Sequence, residues 1–309
     1  GMFCVKSFHN SSNSVFKVFC LLLVCTFCGD FSLFAQKNSG IPVAIRALMD
    51  AYPEEKLLVS FDYKKSDWRI TFSKESPEKV FYWADGKLLP ENLLENASDY
   101  RTLIYNYPDE IPNPKNFTEE DIARYAESGD TENRRNAPVQ YSGFLDTVYD
   151  SGSQLAMESN VKSITFLGKS VRVHQKIIEP LMRVESKIKS LAKNNASVQS
   201  FIKNLSRLDG YYWREIRDTG SRSFHSFGVA VDILPLGWAN KVMYWNWEKN
   251  KDNPQWMLIP LEERWIPPLA VIAVFESEGF IWGGKWGIWD NMHFEYRPEL
   301  ILLREYRKG

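Results

Sequence analysis

Ser223-Phe-His-Ser-Phe-Gly-Val-Ala-Val-Asp232, read with Trp289-Asp-Asn-Met-His-Phe-Glu295 further along, decides how the chain is understood. Val229-Ala-Val-Asp-Ile233 has strand propensity, and its alternation sets Ala230 and Asp232 on one face and the β-branched residues on the other. His225 and Asp232 are an odd number of positions apart, so a straight strand would send them to opposite faces. The chain must bend between them, and Gly228 permits the bend. Met292-His-Phe-Glu-Tyr296 alternates likewise, with His293 and Glu295 on one face and Asp290 just before it. Two imidazoles and one carboxylate, His225, His293 and Asp232, form a three-ligand set that leaves a fourth position open, the arrangement of catalytic rather than structural zinc. Asp290 is then the spare carboxylate.

The pattern Ser-x-His-x-x-Gly-x-Ala-x-Asp followed by Asp-x-x-His-Phe-Glu resembles the zinc D,D-carboxypeptidases and L-alanyl-D-glutamate endopeptidases that cut bacterial peptidoglycan peptides. The resemblance runs over roughly residues 160 to 305. It implies His225, Asp232 and His293 as zinc ligands, Asp290 as general base, and Arg214, in Gly210-Tyr-Tyr-Trp-Arg-Glu-Ile216, as the oxyanion- or substrate-binding arginine. Arg217 and Arg222 compete for that last role, and only the resemblance favours Arg214. Many carboxypeptidase members carry Glu-x-x-His where this chain has Asp290-x-x-His293; with Phe280-Ile-Trp-Gly-Gly-Lys-Trp286 this looks more like the endopeptidase branch. Ser223 and Trp286 are substrate-binding candidates. A turn-stabilising hydroxyl is the alternative for Ser223. Glu295 is expected to orient His293 or to make a salt bridge.

The implied fold is α+β, an antiparallel sheet carrying the zinc ligands with helices packed on it, similar to the hedgehog and D-Ala-D-Ala-peptidase architecture. The implied function is zinc-dependent hydrolysis of peptidoglycan stem peptides, favoured as L-Ala–D-Glu endopeptidase over D-alanyl-D-alanine carboxypeptidase. A non-catalytic zinc module for cell-wall binding is the alternative of another class; a missing base carboxylate would have favoured it, and Asp290 is present.

The rest of the chain sets bounds. With 309 residues, 44% of them hydrophobic and 25% charged, it is ordinary globular material able to bury a sizeable core. The formal net charge of −1 gives no general reason to bind nucleic acid, so none is expected as a partner. Cys4, Cys20, Cys25 and Cys28 are its only cysteines, all within the first 28 residues, where residues 18–28 form an apolar run that follows Lys6 and Lys17. Residues 1–35 therefore read as a secretory signal peptide, with a retained N-terminal anchor, the one route to the membrane, as the alternative. Export to the periplasm or cell envelope follows. A chain cleaved there has no thiol, so any metal must sit on imidazole and carboxylate.

Residues 36–138 read as an accessory region and linker: a short helix within 41–55, strands at 57–61 and 68–72, a hairpin over 80–90 turning at Asp85-Gly86, and a helix near 117–126 started by Thr118. Residues 139–309 read as the peptidase domain, with helices over 141–158, 171–193 and 267–279 and a strand at 163–167. Pro180 is expected to kink the second of these helices. His174 reads as an ordinary surface or core histidine. The stretch from Leu234 to Trp265 holds six aromatic residues among prolines and polar groups, and suggests a lid or binding insert.

Overall fold

A computed structural model describes residues 40–214 and 221–309; residues 43–309 form one compact unit. The expected leader, residues 1–35, and Arg217 lie outside the described residues. No described helix is long and apolar enough to cross a membrane.

The architecture is mixed helix and mainly antiparallel sheet, compatible with α+β. Helix α1 (Val43–Ala51) is followed by a three-stranded meander, β1 (Leu57–Asp62), β2 (Asp67–Phe72) and β3 (Lys79–Tyr82). The chain then returns so that Leu89 bridges Tyr82, closing the expected hairpin through a 3₁₀ turn at Ala84–Gly86. A short strand β4 (Tyr100–Arg101) pairs in parallel with β5 (Val139–Gln140), and between them run α2 (Glu119–Gly129) and α3 (Thr131–Asn136). Thr118 starts α2 with a full capping box: its hydroxyl accepts from Asp121 N–H, and the Asp121 carboxylate accepts from Thr118 N–H.

Three expectations are corrected here. Residues 141–158 do not make one helix but two, α4 (Gly143–Tyr149) and α5 (Gln154–Asn160), because Asp150 turns left-handed at φ 46° and Ser153 caps a new start. Residues 171–174 are not helical. Leu167 and Gly168 both take positive φ, 48° and 79°, and turn β6 (Val161–Phe166) back onto β7 (Lys169–His174) as a hairpin. Val171 and Val173 alternate inward along β7, which is why apolar spacing alone mimicked a helix start. Helix α6 (Ile178–Ala192) begins only afterwards, so Pro180 falls in its first turn, where a missing N–H costs nothing and no kink results.

Helix α7 (Ala196–Lys203) leads into the sheet that matters for function, ordered β10–β11–β9–β8 and antiparallel throughout. Its strands are β8 (Leu205–Asp209), β9 (Ala230–Pro235), β10 (Phe280–Trp282) and β11 (His293–Tyr296). Helix α9 (Leu269–Ser277), ended at Gly279 with φ +88°, lays Phe275 on this sheet, stacked on Phe294 at 4.1 Å and edge-on to Phe280 at 5.6 Å. Leu234 to Trp265 is no bare loop: it includes α8 (Trp245–Lys249), and Trp245 and Trp256 are buried in a cluster with Met257 and Trp289. Arg264 ties it down, donating to the carbonyls of Ile259 and Met257 with its guanidinium 4.3 Å from the Trp289 ring. Helix α10 (Pro298–Tyr306) closes the chain against α1.

Candidate metal centre

Asp232 and His293 are brought together by sheet register. They are directly opposed on β9 and β11, and opposed residues of neighbouring strands share a face. His293 Nδ1 lies 2.9 Å from Asp232 Oδ1, and its Nε2 lies 2.9 Å from Oε2 of Glu295, two residues on and on the same face. Glu295 therefore both orients His293 and makes a salt bridge, to Arg297 at 3.3 Å.

His225 arrives from a different element. It sits in a 3₁₀ turn, Phe224–Phe227, that Ser223 caps by accepting the His225 N–H at 3.3 Å. Gly228, at φ +66°, then turns the chain into β9. The turn swings the imidazole back, so that its Nε2 lies 3.2 Å from Asp232 Oδ1 while Nδ1 faces the Gly210 carbonyl at 2.7 Å. One ligand atom from each of His225, Asp232 and His293 lies within 4.8 Å of the others.

The donor chemistry fits a cation. Because a carbonyl can only accept, His225 Nδ1 carries the proton there, and Nε2 presents its lone pair toward a carboxylate oxygen. That nitrogen is buried without a hydrogen-bond partner. Two facing acceptors are repulsive unless a positive centre lies between them. Likewise His293 Nε2–H can serve Glu295 and leave Nδ1 as the ligand atom. In the metal-free site burial works to raise the Asp232 carboxyl, but the neighbouring His225 and then His293 outweigh it and hold the group well below the usual carboxylate range. Burial works to lower His293, and its bonds to Asp232 and Glu295 outweigh it and raise the group.

Asp290 approaches from the turn before β11. Its N–H donates to Gly283 O at 3.1 Å and its carbonyl accepts from His293 N–H at 3.3 Å. A Cβ on Gly283 would meet that same carbonyl at 2.6 Å, so Gly283, the first glycine of Trp282-Gly-Gly-Lys-Trp286, is what lets this turn approach. Oδ1 of Asp290 is buried with no hydrogen-bond partner. Burial, and then the neighbouring Asp232, push its carboxyl up to about 7. The Met292 main chain hydrogen-bonds the carboxyl and works against that rise, and a carboxyl poised there with one oxygen uncommitted suits a general base.

The other candidates fall into place unevenly. Trp286 stands beside the centre, its ring 5.5 Å from that of His293 and its Nε1–H donating to Tyr105 Oη at 3.2 Å. Arg214 is exposed, but its main chain is laced to the His225 turn, donating to Ser226 Oγ at 2.9 Å and accepting from Ser223 N–H at 3.4 Å. Arg222 is committed elsewhere: it pairs with Asp146, donates to Ser151 O, and stands over the rings of Trp213 and Phe227 at 4.4 and 4.1 Å. His174 is a buried core histidine. Its Nε2 meets Tyr149 O at 2.9 Å and its Nδ1 accepts from Lys176 N–H at 3.0 Å. Sequence reasoning did not find the Gly210 carbonyl, Tyr105 or Arg297; the one available signal was the alternation that carries Glu295, Arg297 and Glu299 on from His293.

Residues 217–296 match the family model for D-alanyl-D-alanine carboxypeptidase. The matched segment contains His225, Asp232, Asp290 and His293, and it supports a metallopeptidase of that coarse kind. Arg214 lies just upstream of it. Residues 44–105 match a second family model, a domain of unknown function. No curated protein and no solved structure matches the chain.

Proposed function

We propose that this chain is a zinc-dependent peptidase that hydrolyses the stem peptides of bacterial peptidoglycan. The observation that carries the reading is the convergence of His225 Nε2, Asp232 and His293 Nδ1 within one ligand-sized space, with the Asp290 carboxyl, its Oδ1 buried and partnerless, beside it. A buried His–Asp–His group of this kind without thiolates suits zinc. When bound there, the cation supplies Lewis-acid polarisation of the scissile carbonyl and eases deprotonation of water. Asp290 takes the proton of the attacking water and passes it to the leaving amine. Arg214, held at the rim by its main chain, brings positive charge toward the developing oxyanion. Trp286 walls the site and fixes His293. The Ser223 hydroxyl accepts the His225 N–H and so can turn only its O–H donor to substrate.

For the bond cut we favour the endopeptidase reading, cleavage near L-Ala–D-Glu. A carboxypeptidase needs a closed pocket with a dedicated cation for a terminal carboxylate. Among the described residues, the arginine candidates beside the centre are an exposed Arg214 and an Arg222 already paired with Asp146. The half-buried Trp238, Trp247 and Trp265, packed on Leu234, Met243 and Met292, are the aromatic surface on which we base a longer cleft. The description of the matching family favours the second reading, removal of terminal D-Ala. A non-catalytic wall-binding module would have no use for a buried base carboxyl. We further take residues 1–35 as an export signal, which places the protein in the periplasm or cell envelope, with no nucleic-acid partner. Digestion of a defined pentapeptide muropeptide, with products weighed, tests the reading. Release of the stem peptide from L-Ala and sugar supports it; tetrapeptide plus free D-Ala shifts the assignment to carboxypeptidase; an intact substrate with zinc-loaded protein refutes an enzyme.

A further inference from the structure

The segment that matches a domain of unknown function reaches the metal centre along two polar routes. On the first, Tyr105 Oη accepts the Trp286 indole N–H at 3.2 Å, and the Trp286 ring stands 5.5 Å from that of His293. On the second, His293 Nε2 meets Glu295, Glu295 meets Arg297 Nη1 at 3.3 Å, and Arg297 Nε donates to Glu299. The N-terminal segment holds this chain at Arg297 and at its far end: Leu103 O accepts from Arg297 Nη2 at 2.7 Å, and Tyr52 Oη donates to Glu299 Oε2 at 2.8 Å. Glu295, Arg297 and Glu299 are 3%, 1% and 1% exposed, so water cannot substitute for a missing partner. The routes meet where the Arg297 guanidinium stands over Tyr105 at 5.7 Å and over Phe224, the neighbour of His225, at 4.7 Å.

We infer that the Tyr52–Tyr107 segment is a built-in brace of the metal centre, with Tyr52 and Tyr105 as positioning residues that fix the orientation of His293. A ligating imidazole keeps its angle only while its other nitrogen is held, and the holder must itself be held. Glu295 could rotate if Arg297 were free to choose among its acceptors. Leu103 O and the Tyr52-anchored Glu299 remove that choice, and a buried charged chain of this kind is rigid only when every member is satisfied. Trp286 supports the ring from its face. A segment serving only as a packing neighbour would have no need to place two hydroxyls and a carbonyl on this network.

The inference rests on the metal-binding reading, and the test separates the two. In the full chain, Tyr52→Phe and Tyr105→Phe each remove a hydroxyl and keep the ring, and the double variant removes both. Zinc affinity is measured by chelator competition, and ligand geometry by the visible absorption of the cobalt-substituted protein. Ile70→Val, in the same segment and fully buried but with no polar link to the centre, is the control. We expect the double variant to bind zinc about 10- to 100-fold more weakly, the range for losing partners of metal ligands, with a shifted cobalt spectrum. Each single variant should show a smaller change in the same direction, and Tyr105→Phe alone carries the test if the double variant does not fold. Ile70→Val should lower thermal stability and leave both readouts unchanged. Wild-type affinity and spectrum in the tyrosine variants overturn the inference, as does equal weakening in Ile70→Val. A wild-type protein that takes no zinc overturns the metal reading and this inference with it.

Discussion

Gly228 and Gly237 share nearly the same backbone conformation, φ +66° and +68°, in very different surroundings. A Cβ on Gly237 would meet nothing within 4 Å. A Cβ on Gly228 would lie 2.8 Å from His174 N, 3.1 Å from its Cβ and 3.3 Å from its Cα. That backbone cannot retreat cheaply, because His174 N–H donates to Gly228 O at 2.8 Å and β7 is paired along its length with β6. Alanine at either position adds the left-handed penalty, about 1–2 kcal/mol. At Gly228 it adds an overpacking term of about 1–3 kcal/mol. Gly237→Ala should therefore lose about 1–2 kcal/mol, and Gly228→Ala about 2–5. Parallel urea unfolding of the metal-free variants measures the difference, and zinc titration of the same proteins measures its reach. Only Gly228→Ala should also weaken zinc, since the clash pushes on the turn that carries His225. Equal stability losses at the two glycines, or unchanged zinc affinity in Gly228→Ala, would refute this account of the hinge.

The described ligand group should take one zinc per chain, and metal analysis of His225→Ala/His293→Ala should find that zinc gone; retention would sink the ligand assignment. Asp290→Asn should keep the metal, because the ligand set is complete without it, while turnover falls roughly two to four orders of magnitude; zinc loss instead would make Asp290 a ligand. His174 gives a pH prediction: burial lowers it to about 4 from 6.5, and the neutral ring is what both its hydrogen bonds require. Its stabilising share is thus present above pH 6.5 and lost as pH falls through about 4. At 1.36 kcal/mol per pH unit the loss is about 3 kcal/mol, and it should be absent from the pH profile of His174→Gln.

The site was legible where chemistry is local. Alternation in Val229–Ile233 and Met292–Tyr296 marked the two ligand strands, and the odd offset from His225 to Asp232 called for the bend that Gly228 makes. Register was not legible. That His293 faces Asp232, rather than a residue one place along, is a property of the assembled sheet. The same holds for Tyr52, Leu103 and Tyr105, whose partners lie far off in sequence. β7 was misread for a subtler reason. Val171 and Val173 fit the apolar rhythm that continues into α6, and only the short 3₁₀ turn Gln175–Ile177 separates the two elements. The Trp-rich stretch shows the converse limit: aromatic content marks a wall, but whether Trp245 and Trp256 face solvent or core depends on what packs behind them.

The two strands bearing Asp232 and His293 lie inside the sheet, each hydrogen-bonded on both flanks, whereas His225 hangs from a short turn fastened mainly by Ser223, Ser226 and Gly210. Backbone amides at the sheet's centre exchange with solvent only through large-scale opening, while such a turn can open by itself at much lower cost. If an ion binds there, the His225 arm is the attachment expected to open first, with the Asp232–His293 pair still in place to recapture the ion.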